Sequence, residues 1–129
     1  MRKLATYLVE DNPTIRDQLI DTLADLADVQ CVGVADCEQA AIDWLHEHPD
    51  DWQLALVDLF LREGSGVGVV SALAQRRPQQ QVAVISNYVS REVTERCLAL
   101  GCNAVFDKSA DIDGLVQFCQ SLNRGASDA

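Results

Sequence analysis

Short apolar runs alternate along the chain with segments whose apolar residues have helical spacing. The runs cover residues 4–9, 29–35, 54–58, 82–86 and 104–106. The last three are apolar at nearly every position, which is typical of strands that are buried on both faces of a parallel sheet. The pattern therefore predicts five strands, each followed by a helix.

The segments between the runs each predict a helix with one apolar face. Asn12 can cap the first helix, whose inward face would carry Ile15, Leu19, Leu23 and Leu26. Asp36 and Gln39 have the spacing of a capping box at the start of the second helix. The third should cover residues 66–76, and the fourth should follow Ser90. The fifth has its apolar stripe at Ile112, Leu115, Val116, Cys119 and Leu122.

Strands that alternate with helices predict an α/β fold, an open three-layer (βα)5 sandwich around a parallel five-stranded sheet. A chain of 129 residues with 48% hydrophobic and 23% charged residues can bury one core. We expect a single domain over residues 1–124, followed by a polar tail, residues 125–129, that frays.

The net charge and the cysteine content limit the kinds of partner, metal site and cell compartment that the sequence favours. The net charge of −10 disfavours binding to DNA or to an anionic membrane surface. The five cysteines form no C-x-x-C pair, which indicates reduced thiols rather than disulfides or a zinc site. The apolar stretch at the N-terminus is too short for a signal peptide or a membrane span. The sequence thus predicts a cytoplasmic protein.

Polar side chains with useful chemistry follow four of the five strands. Glu10 and Asp11 end the first, Asp58 ends the third, Ser86 ends the fourth, and Lys108 follows the fifth. Because ligands bind at the carboxyl ends of strands in open α/β sheets, we expect these side chains to converge. Three carboxylates without imidazole or thiolate suit Mg²⁺.

This set of side chains suggests a reaction class. An ammonium and a hydroxyl beside the carboxylates suit a phosphoryl group, which they can neutralise and hydrogen-bond. The reaction that follows is phosphoryl transfer onto a carboxylate. Asp58 stands alone at its strand end and is the better nucleophile, whereas Glu10 and Asp11 are the better metal pair.

Together these motifs resemble the receiver domain of two-component response regulators. The pieces are Val9-Glu10-Asp11-Asn12, Val57-Asp58-Leu59, Gly64-Ser65-Gly66, Ile85-Ser86, Gly101 and Phe106-Asp107-Lys108-Ser109. The resemblance spans nearly the whole chain and implies the flavodoxin-like strand order 2-1-3-4-5. It also implies that the protein is a phosphorylation-dependent switch in a phosphorelay. Such a switch turns over no metabolite and acts on a downstream protein.

The resemblance also implies roles for individual residues. Asp58 would accept a phosphoryl group from a histidine kinase or a histidine phosphotransfer protein. Mg²⁺ would be held by Asp11, Asp58 and the backbone carbonyl of Phe60, with Glu10 acting through water. Two further residues would contact the phosphoryl oxygens, namely Ser86 and Lys108.

The positions that transmit the signal depart from the family pattern. Asn87 and Tyr88 follow Ser86 where the family usually has a small residue, and Val105 stands at the family's aromatic switch position. Val105 is stiff and too small for that role. We therefore expect the signal to pass through the loop of Asn87 and Tyr88 and the start of the fourth helix.

Two alternative functions share parts of this pattern. A pseudo-receiver, which binds partners without phosphorylation, would usually lack one of the acids or the lysine. A Mg²⁺-dependent phosphatase with an aspartyl nucleophile would have D-x-D, but Phe60 stands two residues after Asp58.

The charged face of the fourth helix is expected to be solvated, or to serve a homodimer. We interpret Gly64, Gly66 and Gly68 as a flexible loop and helix entry.

Overall fold

The computed structural model describes the backbone of residues 3–128 and the side chains of residues 3–124. Five strands and five helices alternate in it. The strands are β1 (Leu4–Val9), β2 (Val29–Ala35), β3 (Leu54–Asp58), β4 (Gln81–Ser86) and β5 (Ala104–Asp107). The helices are α1 (Pro13–Ala27), α2 (Glu38–Glu47), α3 (Gly66–Ala72), α4 (Arg91–Ala99) and α5 (Ile112–Asp128). The predicted frayed tail, 125–129, falls on residues whose side chains lie outside the described part, and it stays a prediction.

The strands form one parallel sheet in the order β2-β1-β3-β4-β5, which confirms the predicted fold class and strand order. Its register aligns the carboxyl ends of the inner strands. Val9 lies opposite Val57, and Asp58 lies opposite Ile85. The residues that follow these strands therefore meet at one edge of the sheet.

Two apolar clusters cover the two faces of the sheet. One packs α2, α3 and α4 against side chains such as Tyr7 and Val84, and the other packs α1 and α5 against side chains such as Leu8 and Ile85. Adjacent strand residues alternate between the clusters. Val105 accordingly packs with the first cluster and Phe106 with the second.

Several helix details differ from the sequence prediction. Asn12 and Ser90 cap α1 and α4 through their side chains as expected. The capping box is wrong: Cys37 is the N-cap of α2 and makes no side-chain cap bond, and Gln39 donates to Asp43 instead. Leu26 is 56% exposed, because Ala27 takes the inward place.

The third helix ends at Ala72, four residues before the predicted end. The chain turns there because the Arg76 guanidinium donates to the carbonyls of Leu73, Gln80 and Gly101. These bonds satisfy carbonyls that a longer helix or solvent would otherwise have to satisfy. The helix end is thus fixed by contacts between loops.

Gly66 allows α3 to begin directly against the end of β3. A Cβ at this position would contact the Asp58 carbonyl oxygen and lie 2.7 Å from the Leu59 Cα. The Gly66 amide donates to the Leu59 carbonyl at 3.0 Å. This glycine is buried and is the first residue of α3, which confirms the predicted helix entry and shows that it is closely packed.

All five cysteines are free thiols, in agreement with the sequence prediction. Cys97, Cys102 and Cys119 are buried, whereas Cys31 and Cys37 are half-buried. Burial raises the pKa of Cys102 to about 11 and that of Cys119 to about 12, so these thiols stay protonated at neutral pH. Among the residues that the structure describes, no helix combines the length and apolar composition that a membrane span needs.

Candidate functional site

The carboxyl ends of β1, β3 and β5 bring four charged side chains together: Glu10, Asp11, Asp58 and Lys108. Hydrogen bonds between neighbouring backbones continue just past the strands and hold this edge. The Glu10 amide donates to the Ala35 carbonyl at 2.9 Å, and the Lys108 amide donates to the Ser86 carbonyl at 3.0 Å. Sheet geometry therefore fixes the backbone from which the site residues project.

The Lys108 ammonium bridges two buried carboxylates. It lies 2.6 Å from Glu10 Oε1 and 2.8 Å from Asp58 Oδ2, and the three side chains are at most 6% exposed. Burial lowers the pKa of Lys108, but the bonds and charges of Asp58 and Glu10 outweigh it and leave the pKa raised. The lysine is thus a fixed cation at the site.

The second oxygen of each buried carboxylate is held by a backbone amide. Asn12 donates to Glu10 Oε2 at 3.1 Å, and Phe60 donates to Asp58 Oδ1 at 3.2 Å. Burial raises the pKa of Glu10, whereas the bonds from Lys108 and Asn12 lower it, and the net direction is upward. With both oxygens of each group bound, neither carboxylate can rotate freely.

Asp11 completes the acidic cluster and is less buried than Glu10 and Asp58. Its Oδ2 accepts a hydrogen bond from the Arg62 amide at 2.7 Å. One oxygen from each of the three acids lies within 4.8 Å of the other two. One ammonium among three carboxylates leaves excess negative charge, and the donor set is all hard oxygen. Both features fit Mg²⁺.

Ser86 and the predicted switch residues Asn87, Tyr88 and Val105 differ in how far they are exposed to solvent. The Ser86 hydroxyl is buried, donates to the Tyr88 carbonyl at 3.1 Å and accepts from the Tyr88 amide at 3.0 Å. Tyr88 is 69% exposed, and Asn87 is also exposed. Val105 packs on the apolar cluster with α2, α3 and α4. The loop after β4 is thus tied to the hydroxyl of Ser86.

A surface cavity of about 350 Å³ opens beside Lys108. It lies between the start of α1 and the loops that follow β4 and β5. Its lining residues are Ile15, Gln18, Leu19, Thr22, Asn87, Lys108, Ser109 and Ile112. One residue of the charged cluster, Lys108, thus lines this cavity.

The contribution of backbone amides to the site was not predicted from the sequence. The amides of Asn12, Phe60 and Arg62 orient all three acids. Every residue except proline has such an amide, so no residue type marks its role. The signal that was available is Gly66, since a close backbone approach often needs glycine.

A family model described as the response regulator receiver domain matches residues 6–120. The chain is 30% identical over 115 residues to the response regulator protein PilR of Pseudomonas aeruginosa, a match that covers 89% of this chain and 25% of PilR. It is 24% identical to the response regulator protein VraR of Staphylococcus aureus, over 96% of this chain and 58% of VraR. The chain therefore spans a quarter of one relative and just over half of the other.

The fold is similar to that of a chain in the CheX–CheY–BeF₃–Mg²⁺ complex from Borrelia burgdorferi. The TM-score is 0.81 at 17% identity, over 92% of this chain and 88% of that chain. At this identity the likeness establishes the shared fold. The arrangement of the acidic cluster is known from the distances within this chain and not from this similarity.

Proposed function

Since the chain belongs to the response regulator receiver domain family, a signalling module of two-component systems, we propose that it is a phosphorylation-dependent switch whose phosphoacceptor is Asp58. One observation carries this proposal: Lys108 lies 2.8 Å from the Asp58 carboxylate, within a cluster of three acids. A cation beside a nucleophile can neutralise a phosphoryl group as it approaches.

Asp58 is the acceptor because of its place among the three acids. Glu10 and Asp11 follow β1 side by side and are suited to hold the metal ion together. Asp58 lies between the acids of β1 and the lysine after β5. One of its oxygens would form a bond to phosphorus while the P–N bond of a phosphohistidine breaks, and the electron pair of that bond stays on the imidazole nitrogen.

The other groups would share the charge of the transferred phosphoryl group. Lys108 and the Ser86 hydroxyl would contact its oxygens. Asp11, Asp58 and the Phe60 carbonyl would hold Mg²⁺ directly and Glu10 would hold it through water, and the ion supplies charge neutralisation on phosphoryl oxygens. The excess negative charge of the cluster in this chain supports the choice of a divalent cation.

The phosphodonor would be a histidine kinase or a histidine phosphotransfer protein. The cavity beside Lys108 supports this, since it offers a donor a place on α1 and the loop after β5 next to a residue of the cluster. The net charge of −10 leads us to expect no DNA contact by this domain. A downstream protein or a second copy of the chain would recognise the phosphorylated form.

The proposal predicts Mg²⁺-dependent phosphorylation by a small donor. After incubation with acetyl phosphate and Mg²⁺, the intact mass should increase by one phosphoryl group, which is stable in acid and labile in base. A chelator should prevent the increase, because the acids would then repel the incoming group. Glu10→Gln and Asp11→Asn should each lower the affinity for Mg²⁺. An unmodified mass at every donor concentration would favour the pseudo-receiver.

Signal output should depend on Tyr88 more than on Val105. The phosphoryl group would draw the Ser86 hydroxyl inward and break the two hydrogen bonds of this hydroxyl with the Tyr88 backbone. The exposed Tyr88 side chain could then move to a buried position. Tyr88→Ala should reduce the phosphorylation-dependent chemical shift changes of α4 amides without lowering phosphoryl uptake. Val105→Ala is the matched control and should change little. The opposite ranking of the two variants would refute this route.

A further inference from the structure

Glu38, the first residue of α2, reaches the loop between β3 and α3, which we define as the β3–α3 loop (residues 59–65). Its Oε1 accepts a hydrogen bond from the Ser65 amide at 2.8 Å. Its own amide donates to the Glu63 carbonyl at 3.2 Å. The β3–α3 loop is therefore tied at two points to a helix that follows a different strand.

Two glycines leave the space in which the Glu38 side chain lies. A Cβ on Gly64 would contact the Glu38 Cβ and lie 2.9 Å from its Oε1. A Cβ on Gly68 would contact Oε2 and lie 2.5 Å from Cδ. Gly68 has no positive φ, and the Glu38 carboxylate is the group that a side chain there would have to displace.

The same loop also donates hydrogen bonds to two acids of the site. The Phe60 amide donates to Asp58 Oδ1, and the Arg62 amide donates to Asp11 Oδ2 at 2.7 Å. The loop is thus hydrogen-bonded both to Glu38 and to two acids of the cluster. A shift of the loop would move both amides away from the carboxylates that they orient.

We propose that Glu38 is a positioning residue that fixes the β3–α3 loop in the shape needed to bind Mg²⁺. This inference rests on the proposed function, because the loop supplies the Phe60 carbonyl to the metal site. Residues that orient metal ligands through hydrogen bonds typically contribute about 10- to 100-fold to metal affinity. Glu38 acts through the loop and does not itself contact the acids, so we expect about tenfold.

The test compares Glu38→Ala with Glu38→Gln. Mg²⁺ is titrated into each protein and Kd is followed by amide chemical shifts, while hydrogen exchange of the Ser65 amide is measured without metal. Glu38→Ala should weaken Mg²⁺ binding about tenfold and speed Ser65 exchange. Glu38→Gln keeps an acceptor oxygen, so it should restore both values nearly to those of the unmodified protein.

Glu47→Ala is the charge control. Glu47 is exposed at the far end of the same helix, and its replacement removes the same negative charge. It should leave both the affinity and the Ser65 exchange unchanged. If Glu47→Ala or Glu38→Gln weakens Mg²⁺ binding as much as Glu38→Ala, the effect is one of charge and the positioning role is wrong.

Gly68→Ala tests the same contact from the other side. The added methyl should displace the Glu38 carboxylate from the Ser65 amide and weaken Mg²⁺ binding as Glu38→Ala does. In the Glu38→Ala background it should have almost no further effect. Unchanged affinity in both single variants would overturn the inference while leaving the proposed function intact. Failure of the unmodified protein to bind Mg²⁺ would instead refute the proposed function, and the inference with it.

Discussion

Replacing Asp58 with Asn should abolish phosphoryl uptake from acetyl phosphate in the presence of Mg²⁺. The amide is a poor nucleophile and carries no charge, so neither bond formation to phosphorus nor metal binding is supported. The fold should survive, since Asn has nearly the same shape and its oxygen can still accept from the Phe60 amide. Intact mass spectrometry of the treated variant measures the loss directly.

Asp51→Asn is the matched control for this experiment. Asp51 is an exposed acid that lies before β3, at the other end of the strand from Asp58. Its replacement makes the same change of charge and should leave phosphoryl uptake unchanged. Equal uptake by Asp58→Asn and the unmodified protein would place the acceptor elsewhere and remove the basis of the proposed function.

Replacing Lys108 with Ala should destabilise the metal-free protein by about 3 kcal/mol, since breaking a buried ion pair from one side leaves uncompensated charge. Glu10 and Asp58 would then face each other without the ammonium that lies within 2.8 Å of both. Urea unfolding in the presence of a chelator measures this loss. The rate of phosphorylation should also fall by about 10²-fold, the effect typical of losing one stabilising donor.

Two further variants separate the ion pair from general effects of charge. Lys3→Ala removes the other lysine of the chain, which is exposed, and should change stability little. Adding Glu10→Gln to Lys108→Ala should restore part of the stability, because a neutral amide needs no counter-ion. A double variant no more stable than Lys108→Ala would show that the lysine contributes through packing rather than through charge.

The sequence by itself determined the strands and the identity of the charged residues. The five predicted runs agree with the observed strands to within one residue at each end. For β1, β3 and β4 that agreement follows because a strand buried on both faces is apolar at nearly every position, a local signal. The polar residues at or just after the ends of four of these runs are equally local signals, and the parallel order of the strands places Glu10, Asp58 and Lys108 at one edge.

Only the tertiary structure decided which apolar residues face the core and where the third helix ends. Leu26 and Ala27 both fit the periodicity of α1, and the core contacts of α1 select Ala27. The end of α3 depends on Arg76, which binds carbonyls as distant in sequence as that of Gly101. The amides that orient Asp11 and Asp58, and the contact of Glu38 with Ser65, likewise depend on which loops meet. A backbone amide has no residue type of its own, so such contacts leave no pattern in the sequence.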